Sequence, residues 1–487
     1  MTDSTSAPAP PTARWVPRRS IGVWGLVFFV VAAAAPLAVM SGVAPLAVMF
    51  GGVGAPGGYL LGGIVMAVFA VGFTAMSRHV DNPGAFYAYI SRGLGRTVGL
   101  GAAFVAVLSY VLIAVSFVPA IGVFAHDTVL SLTGVDIAWQ IWAVVGWLAV
   151  GVLGYLNITL SAKVLGVLLG LEVLVLVVFA VPIIFQGGAE GLSFGSFNPG
   201  NVFGAGVGAL FVLAFGAFLG FESTAIYSEE AKDPKRTVPQ ATFIAVGFLA
   251  LFYTVVLWAA IMAYGPEQAV VVATEDPTGM FFTATEQWVG APVANAMHVL
   301  IVTSALAAAL AFHNASARYL SALASEHALP SPLARRSSSG SPGVASLTVS
   351  AVAGVIVVAF ALAGADPYTH TFIWLNAIGI PGIIGLQALC SAAVVAFFRR
   401  DPHGHGVFTR LIAPAVATVA LTGTLILIVI NYDLLTGAGA ATNAALILVL
   451  PVTFIAGLVV ARILRARQPE TYQQLATVRP DEPTSVG

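Results

Sequence analysis

The sequence is short of charge. Only 8% of its 487 residues are Asp, Glu, Lys or Arg, against roughly 25% in chains whose surface faces water. That excludes an ordinary soluble protein of several domains, the usual outcome at this length. A cationic excess is missing as well. Twenty Lys and Arg meet 21 Asp and Glu, a net charge of −1, so no overall basic balance favours nucleic acid. Cysteine is almost absent. Cys390 stands alone in an apolar run, which excludes an intrachain disulfide and a site of several thiolates and suits a small packing residue. No apolar run carries a Ser/His/Asp set, an HExxH or a paired aspartate, and no polar stretch is long enough for a catalytic module. No enzyme, cofactor or metal site is therefore expected. Alternation at strand period in segments of about ten residues is missing too, which argues against a β-barrel.

What is present is apolar. Hydrophobic residues make up 59% of the chain, the mean hydropathy is +0.95, and the surface must face lipid. A spanning helix needs about 20 apolar residues. Twelve stretches qualify, near 21–50, 57–77, 97–125, 138–157, 163–186, 203–228, 239–264, 293–324, 343–364, 371–398, 411–431 and 441–464. The expected fold is thus an all-α polytopic membrane protein with 12 transmembrane helices. Residues 1–19 read as a disordered tail rich in Ser, Thr, Pro and Ala, and 466–487 as a second. Arg14, Arg18 and Arg19 precede an apolar run too long for the core of a signal peptide, so that run is read as a retained first helix. The link at 265–292 has room for a short surface helix.

Loop charges give the orientation, because cationic loops stay in the cytoplasm. All 20 Lys and Arg fall on one side under a twelve-helix count: Arg14, Arg18 and Arg19; Arg78, Arg92 and Arg96; Lys163; Lys232, Lys235 and Arg236; Arg318, Arg335 and Arg336; Arg399, Arg400 and Arg410; Arg462, Arg465, Arg467 and Arg479. The opposite loops hold acidic residues such as Asp127, Glu190, Glu275 and Asp366, and no Lys or Arg. Both termini are expected in the cytoplasm, and the chain in the cell membrane.

Function in a spanning protein sits where polar groups or helix breaks occur at depth. Helix 1 carries Pro36, then Ser41-Gly42, then Pro45. Unwinding between about Pro36 and Gly42 would expose peptide N–H groups suited to a carboxylate; a simple proline kink is the alternative. Helix 6 interleaves Gly216 and Gly220 with Phe215, Phe218 and Phe221, and Glu222 follows within the apolar run. The glycines also fit a small-residue packing face, which leaves Glu222 unexplained. Glu229 and Glu230, beside Lys232, Lys235 and Arg236, read as interfacial ion pairs. Helices 1 and 6 are five apart and enter the membrane in opposite directions. Two inverted units with breaks at corresponding places are the signature of a carrier with its site at the repeat interface. Glu172 is the one charged residue of helix 5 after Lys163. At 1.5 Å per residue it lies about 13–14 Å in, close to the midplane. It is a candidate for proton exchange or a permanently neutral structural group. On helix 8, His313 reads as a packed hydrogen bonder beside Phe312 and Asn314; on helix 10, Trp374 and Asn376 precede the Gly/Pro-rich GIPGIIG.

Two motifs carry a family resemblance. Gly220-Phe221-Glu222-Ser223 is followed by SEEAKDPKRTVPQAT, and Asn82-Pro83-Gly84-Ala85-Phe86-Tyr87-Ala88-Tyr89 by RGLGR. In order and position these resemble the amino acid–polyamine–organocation (APC) superfamily, over about 20–465. The resemblance implies a LeuT-like fold of two inverted five-helix repeats, 20–200 and 201–400, plus two C-terminal helices in 401–465. It implies an amino acid substrate moved by alternating access. It places substrate contacts at Pro36, Ser41 and Gly42 on helix 1, at Phe215, Ala217, Phe218 and Gly220 on helix 6, at Phe312 on helix 8 and at Asn376 on helix 10. Some proton-coupled members carry a lysine on helix 5 where others hold sodium, and Glu172 falls at that place by count. Glu172 and Glu222 are the candidate coupling groups, with a proton favoured over sodium. The usual Gly-Ser-Gly motif of helix 1 is here PLAVMSG, so its register differs from the family pattern. Sodium symport, amino acid exchange and polyamine or amine transport are the alternatives. A channel would need polar groups along a continuous path, and the breaks here cluster instead.

Overall fold

The computed structural model describes residues 21–80, 85–156, 162–222, 224, 231–337 and 341–476. The expected features at 1–19, Asn82-Pro83-Gly84, Ser223, Glu229-Glu230 and beyond 476 lie outside the described residues. Among the described residues the regular elements are helical, and an isolated bridge pairs Ile21 with Ala231. Among the described residues, ten stretches are long and apolar enough to cross a membrane. Two shorter apolar helices, Trp139–Tyr155 and Val207–Gly216, fall at the fourth and sixth expected segments.

The first expected helix is three pieces: α1 (Val23–Ala33), α2 (Pro36–Gly42) and α3 (Ala44–Gly51). The expected unwinding between Pro36 and Gly42 is corrected: that stretch is helical, and the break lies just ahead of it, at Ala34 and Ala35. Proline has no N–H and crowds the residue before it out of the right-handed helical region. Ala35 lies outside that region, in the left-handed one at φ 44°, ψ 68°, and Pro36 serves as the first residue of the new helix, where a missing N–H costs nothing. A second, milder break at Val43 (φ −122°, ψ −39°) leads into α3, whose second residue is Pro45.

The chain continues through α4 (Ala55–Ser77), α5 (Ala85–Leu94), the 38-residue α6 (Arg96–Thr133), α7 (Trp139–Tyr155), α8 (Ala162–Gln186) and the single turn α9 (Pro199–Val202). Then α10 (Val207–Gly216) stops inside its apolar run, and 217–222 proceed as turns. Gly220 has φ 104°, a conformation that a side chain would strain. The long α11 (Pro234–Tyr264) follows. The 265–292 link forms two helices, α12 (Pro266–Glu275) and α13 (Met280–Trp288), where the sequence indicated room for one. Next come α14 (Ala291–Ser325), α15 (Gly343–Leu362), α16 (Ile373–Arg400), α17 (Ala413–Ile430), the short α18 (Tyr432–Thr436), α19 (Ala440–Arg467) and α20 (Pro469–Gln474).

Helix α6 packs on α14, α16 and α19, while α4 packs on α11, which also meets α1 and α8. Between these groups lie the interrupted stretches: α2 against α8 and α14, and α10 against α3, α4 and α17. Small residues set the closest approaches. A Cβ added to Gly457 of α19 would lie 2.7 Å from the Cα of Gly101 on α6, as expected where helices associate without hydrophobic gain from lipid.

At the arginine-rich end, the last described residues fold back under the bundle. Leu475 is fully buried. Just past α14, Glu326 accepts the Tyr87 hydroxyl at 2.6 Å and the Ala476 N–H at 3.2 Å. Burial pushes the Glu326 carboxyl up to about 7 from an ordinary 4.5. The docked form therefore binds the proton more tightly, and docking loses stability as pH rises from about 4.5 through 7. Hydrogen exchange at 469–476, corrected for intrinsic rates, should be faster at pH 8 than at pH 6. Glu326→Gln should remove that difference; its persistence in the variant would contradict this account.

Candidate functional site

The break before α2 and the end of α10 face each other across a cavity of about 40 Å³. One wall is Ala33, Ala34, Ala35, Val39 and Val43, and the facing wall is Leu213, Gly216, Ala217 and Leu219. The remainder comes from Ile113 and Phe117 on α6, Ala308 and Phe312 on α14, and Phe372, Asn376 and Ile380 at the start of and along α16. Phe312 stacks on Phe117 with centroids 6.0 Å apart and planes at 11°, and Phe372 meets Phe117 edge-on at 6.0 Å. Asn376 supplies the polar side chain of this lining. Its amide nitrogen donates to Ser116 Oγ at 3.0 Å and to the Phe372 carbonyl at 2.9 Å. Small-molecule sites usually measure roughly 300–1,000 Å³. The cavity is thus contracted, with space for a few waters at about 10–15 Å³ each.

Peptide groups freed by the breaks have named partners. The Ala34 carbonyl accepts the Tyr253 hydroxyl at 3.3 Å. Leu37 N–H donates to Glu172 Oε2 at 3.2 Å, and Ala38 N–H donates to Ser304 Oγ at 3.2 Å. Ser304 in turn donates to the same Glu172 oxygen at 2.8 Å. One carboxyl from α8 therefore joins the first turn of α2 to α14. Two of the N–H groups expected to await a substrate carboxylate thus already have partners in the chain itself, Leu37 in a carboxyl oxygen and Ala38 in a hydroxyl. Glu222 does comparable work at the other break. It is 2% exposed, accepts the Gly220 N–H at 3.0 Å and takes the Tyr110 hydroxyl of α6 at 2.5 Å. A buried carboxyl needs such donors, since an unmet one at depth is costly.

The expected contact residues divide. Ala217, Phe312 and Asn376 line the cavity. Pro36 begins α2 beside it but is not part of the lining. Ser41 is fully buried with no partner for its Oγ, and the Gly42 carbonyl accepts the Tyr368 hydroxyl; neither lines the cavity. Phe215 and Phe218 turn towards α4, where a Cβ on Gly62 would meet their rings at 3.6 and 3.3 Å. Gly220 borders Ala33 from outside the lining. His313 bonds Ser346 Oγ at 2.9 Å and fills the space beside Gly154, a packing role. Sequence reasoning passed over Ile113, Phe117, Phe372 and Ser304. Ile and Phe in an apolar run give no signal, but Tyr110, Ser116 and Ser304 are polar groups in long hydrophobic helices and could have been found.

A family profile described as amino acid permease matches residues 25–473. The chain belongs to the amino acid permease family. Among curated relatives, the amino-acid permease GAP5 of Candida albicans is 25% identical over 370 residues, 72% of this chain and 58% of the relative; the alignment thus spans little more than half of that fungal permease. A Mycobacterium tuberculosis protein described as an uncharacterized transporter is 25% identical over 419 residues, 78% of this chain and 80% of the relative. The amino-acid permease RocC of Bacillus subtilis is 24% identical over 373 residues, 72% and 74% of the two chains. The permease is accordingly a multi-pass membrane transporter.

In this permease the Tyr110–Glu222 contact ties the break after α10 to α6. Tyr110→Phe leaves Glu222 Oε1 without that donor, which should cost about 1–3 kcal/mol and lower the melting temperature of the detergent-solubilised protein by several degrees. An unchanged melting temperature would contradict the importance given to this contact.

Proposed function

We propose that the permease carries an amino acid with an apolar side chain by alternating access, coupled to a proton. The observation that carries this reading is the position of Glu172. Its carboxyl holds α8, the start of α2 and Ser304 of α14 together; it lies outside the cavity lining, and its partner Leu37 follows two residues after Ala35 of the wall. Adding a proton removes the charge that attracts these donors and changes the contact between three helices at once. Proton occupancy is thereby linked to the geometry of the helix break.

The lining supports the substrate class. Apart from Asn376 its side chains are apolar or aromatic, so a zwitterion would find its polar partners among backbone groups of the two breaks and its side chain among Phe117, Phe312 and Phe372. Among the described residues no Asp or Glu lines the cavity, which disfavours a polyamine. Ten long and two short apolar helices at the twelve expected positions support the twelve-span reading with two inverted five-helix units. The one-sided Lys and Arg support cytoplasmic termini in the cell membrane.

In proteoliposomes, an inward acid gradient should drive concentrative uptake of at least one apolar amino acid, and a sodium gradient alone should not. Glu172→Gln keeps the acceptor for Leu37 but cannot release a proton. It should lose acid-driven accumulation while retaining counterflow exchange. Undiminished acid-driven accumulation by the variant would remove Glu172 from the coupling.

A further inference from the structure

A second cleft, of about 250 Å³, opens at the end of the molecule that carries the arginine-rich loops. Its lining is Ser91 and Arg92 of α5, Gly95, Arg96 at the start of α6, Arg400 at the end of α16, and Leu475-Ala476 beyond α20. Three arginines thus line one cleft, and among the described residues no Asp or Glu belongs to its lining. Among the described residues none of the three forms an ion pair with a carboxylate.

Two of the arginines are fixed by the backbone. Arg400 donates to the carbonyls of Arg92 at 3.2 Å and Gly93 at 3.1 Å, and Arg96 Nε donates to the Leu475 carbonyl at 3.2 Å. A guanidinium has five N–H donors, so both keep donors to spare. Arg92 has no side-chain partner among the described residues. Ser91 adds an independent sign: it is 7% exposed, lines the cleft, and its Oγ has no hydrogen-bond partner. Glu326 sits against Ala476 but is engaged by the Tyr87 hydroxyl and the Ala476 N–H, and it is outside the lining.

Like charges gathered in one cleft repel, and buried polar groups without partners are costly. An anion offering several acceptor oxygens would answer both. Fixed, planar guanidinium groups suit a phosphate group, which accepts paired N–H donors. We propose that Ser91, Arg92, Arg96 and Arg400 form a binding site for a phosphate group, either the headgroup of an anionic phospholipid or free phosphate. The Arg96–Leu475 contact places the last described residues of the chain on its wall, so occupancy also steadies their docking.

The test uses the full-length permease in nanodiscs. Thermal stability is measured in phosphatidylcholine alone, in phosphatidylcholine with inorganic phosphate, and in phosphatidylcholine with phosphatidylglycerol. Stabilisation by phosphate assigns a free anion, and stabilisation by phosphatidylglycerol alone assigns a lipid headgroup. Arg92→Gln removes a charge that has no hydrogen bond or ion pair among the described residues, so it should fold normally; it should weaken the response on the order of tenfold in ligand concentration. Arg96→Gln with Arg400→Gln should abolish the response, while the corresponding Lys pair should restore part of it. No stabilisation by either probe, or an equal response from wild type and Arg92→Gln, would overturn the proposal.

Discussion

Peptide groups without water around them govern this structure. In a lipid-facing bundle every N–H and C=O released by a helix break must find a partner inside the protein. The breaks at Ala34-Ala35 and 217–222 release several at once, and two carboxyl groups answer them. Glu172 and its neighbour Ser304 take the N–H groups of Leu37 and Ala38, and Glu222 takes that of Gly220. Each carboxyl also reaches another helix, through Ser304 of α14 in one case and Tyr110 of α6 in the other. The groups that make the breaks tolerable are therefore the same groups that couple the interrupted helices to their surroundings.

This arrangement accounts for the shape of the cavity. With these groups satisfied internally, the walls can close to about 40 Å³, and the rings of Phe312 and Phe372 both pack on Phe117. A substrate must replace some of these contacts with its own. Its binding energy is then spent partly on opening the site, which is how a carrier links occupancy to conformation.

The sequence made the membrane fold and the two interruptions legible, because apolar length, proline, glycine and intramembrane carboxyls are local signals. It was less informative about where the first break falls. Pro36 excludes the residue before it from the helix, so the break precedes the proline, whereas Ser41 and Gly42 remain helical. Side-chain direction was harder still. Phe215 and Phe218 lie three residues apart and share a face, which turns to α4, while Gly216 and Ala217 face the cavity. Ile113 and Phe117 were silent because an apolar residue in an apolar helix does not show which neighbour it meets. The cleft of Arg92, Arg96 and Arg400 was equally hidden, since Arg400 is 308 residues from Arg92 and all three read only as orientation markers.

Substrate protection of a single cysteine tests most directly whether the cavity between the breaks is the transport site. In a Cys390→Ala background, Ala217→Cys places a thiol in the lining, and its reaction with a small thiol reagent is followed with and without a transported amino acid. The arrangement predicts slower labelling when the amino acid is present, half-maximal near the concentration that half-saturates uptake. A labelling rate that saturating substrate leaves unchanged would contradict it.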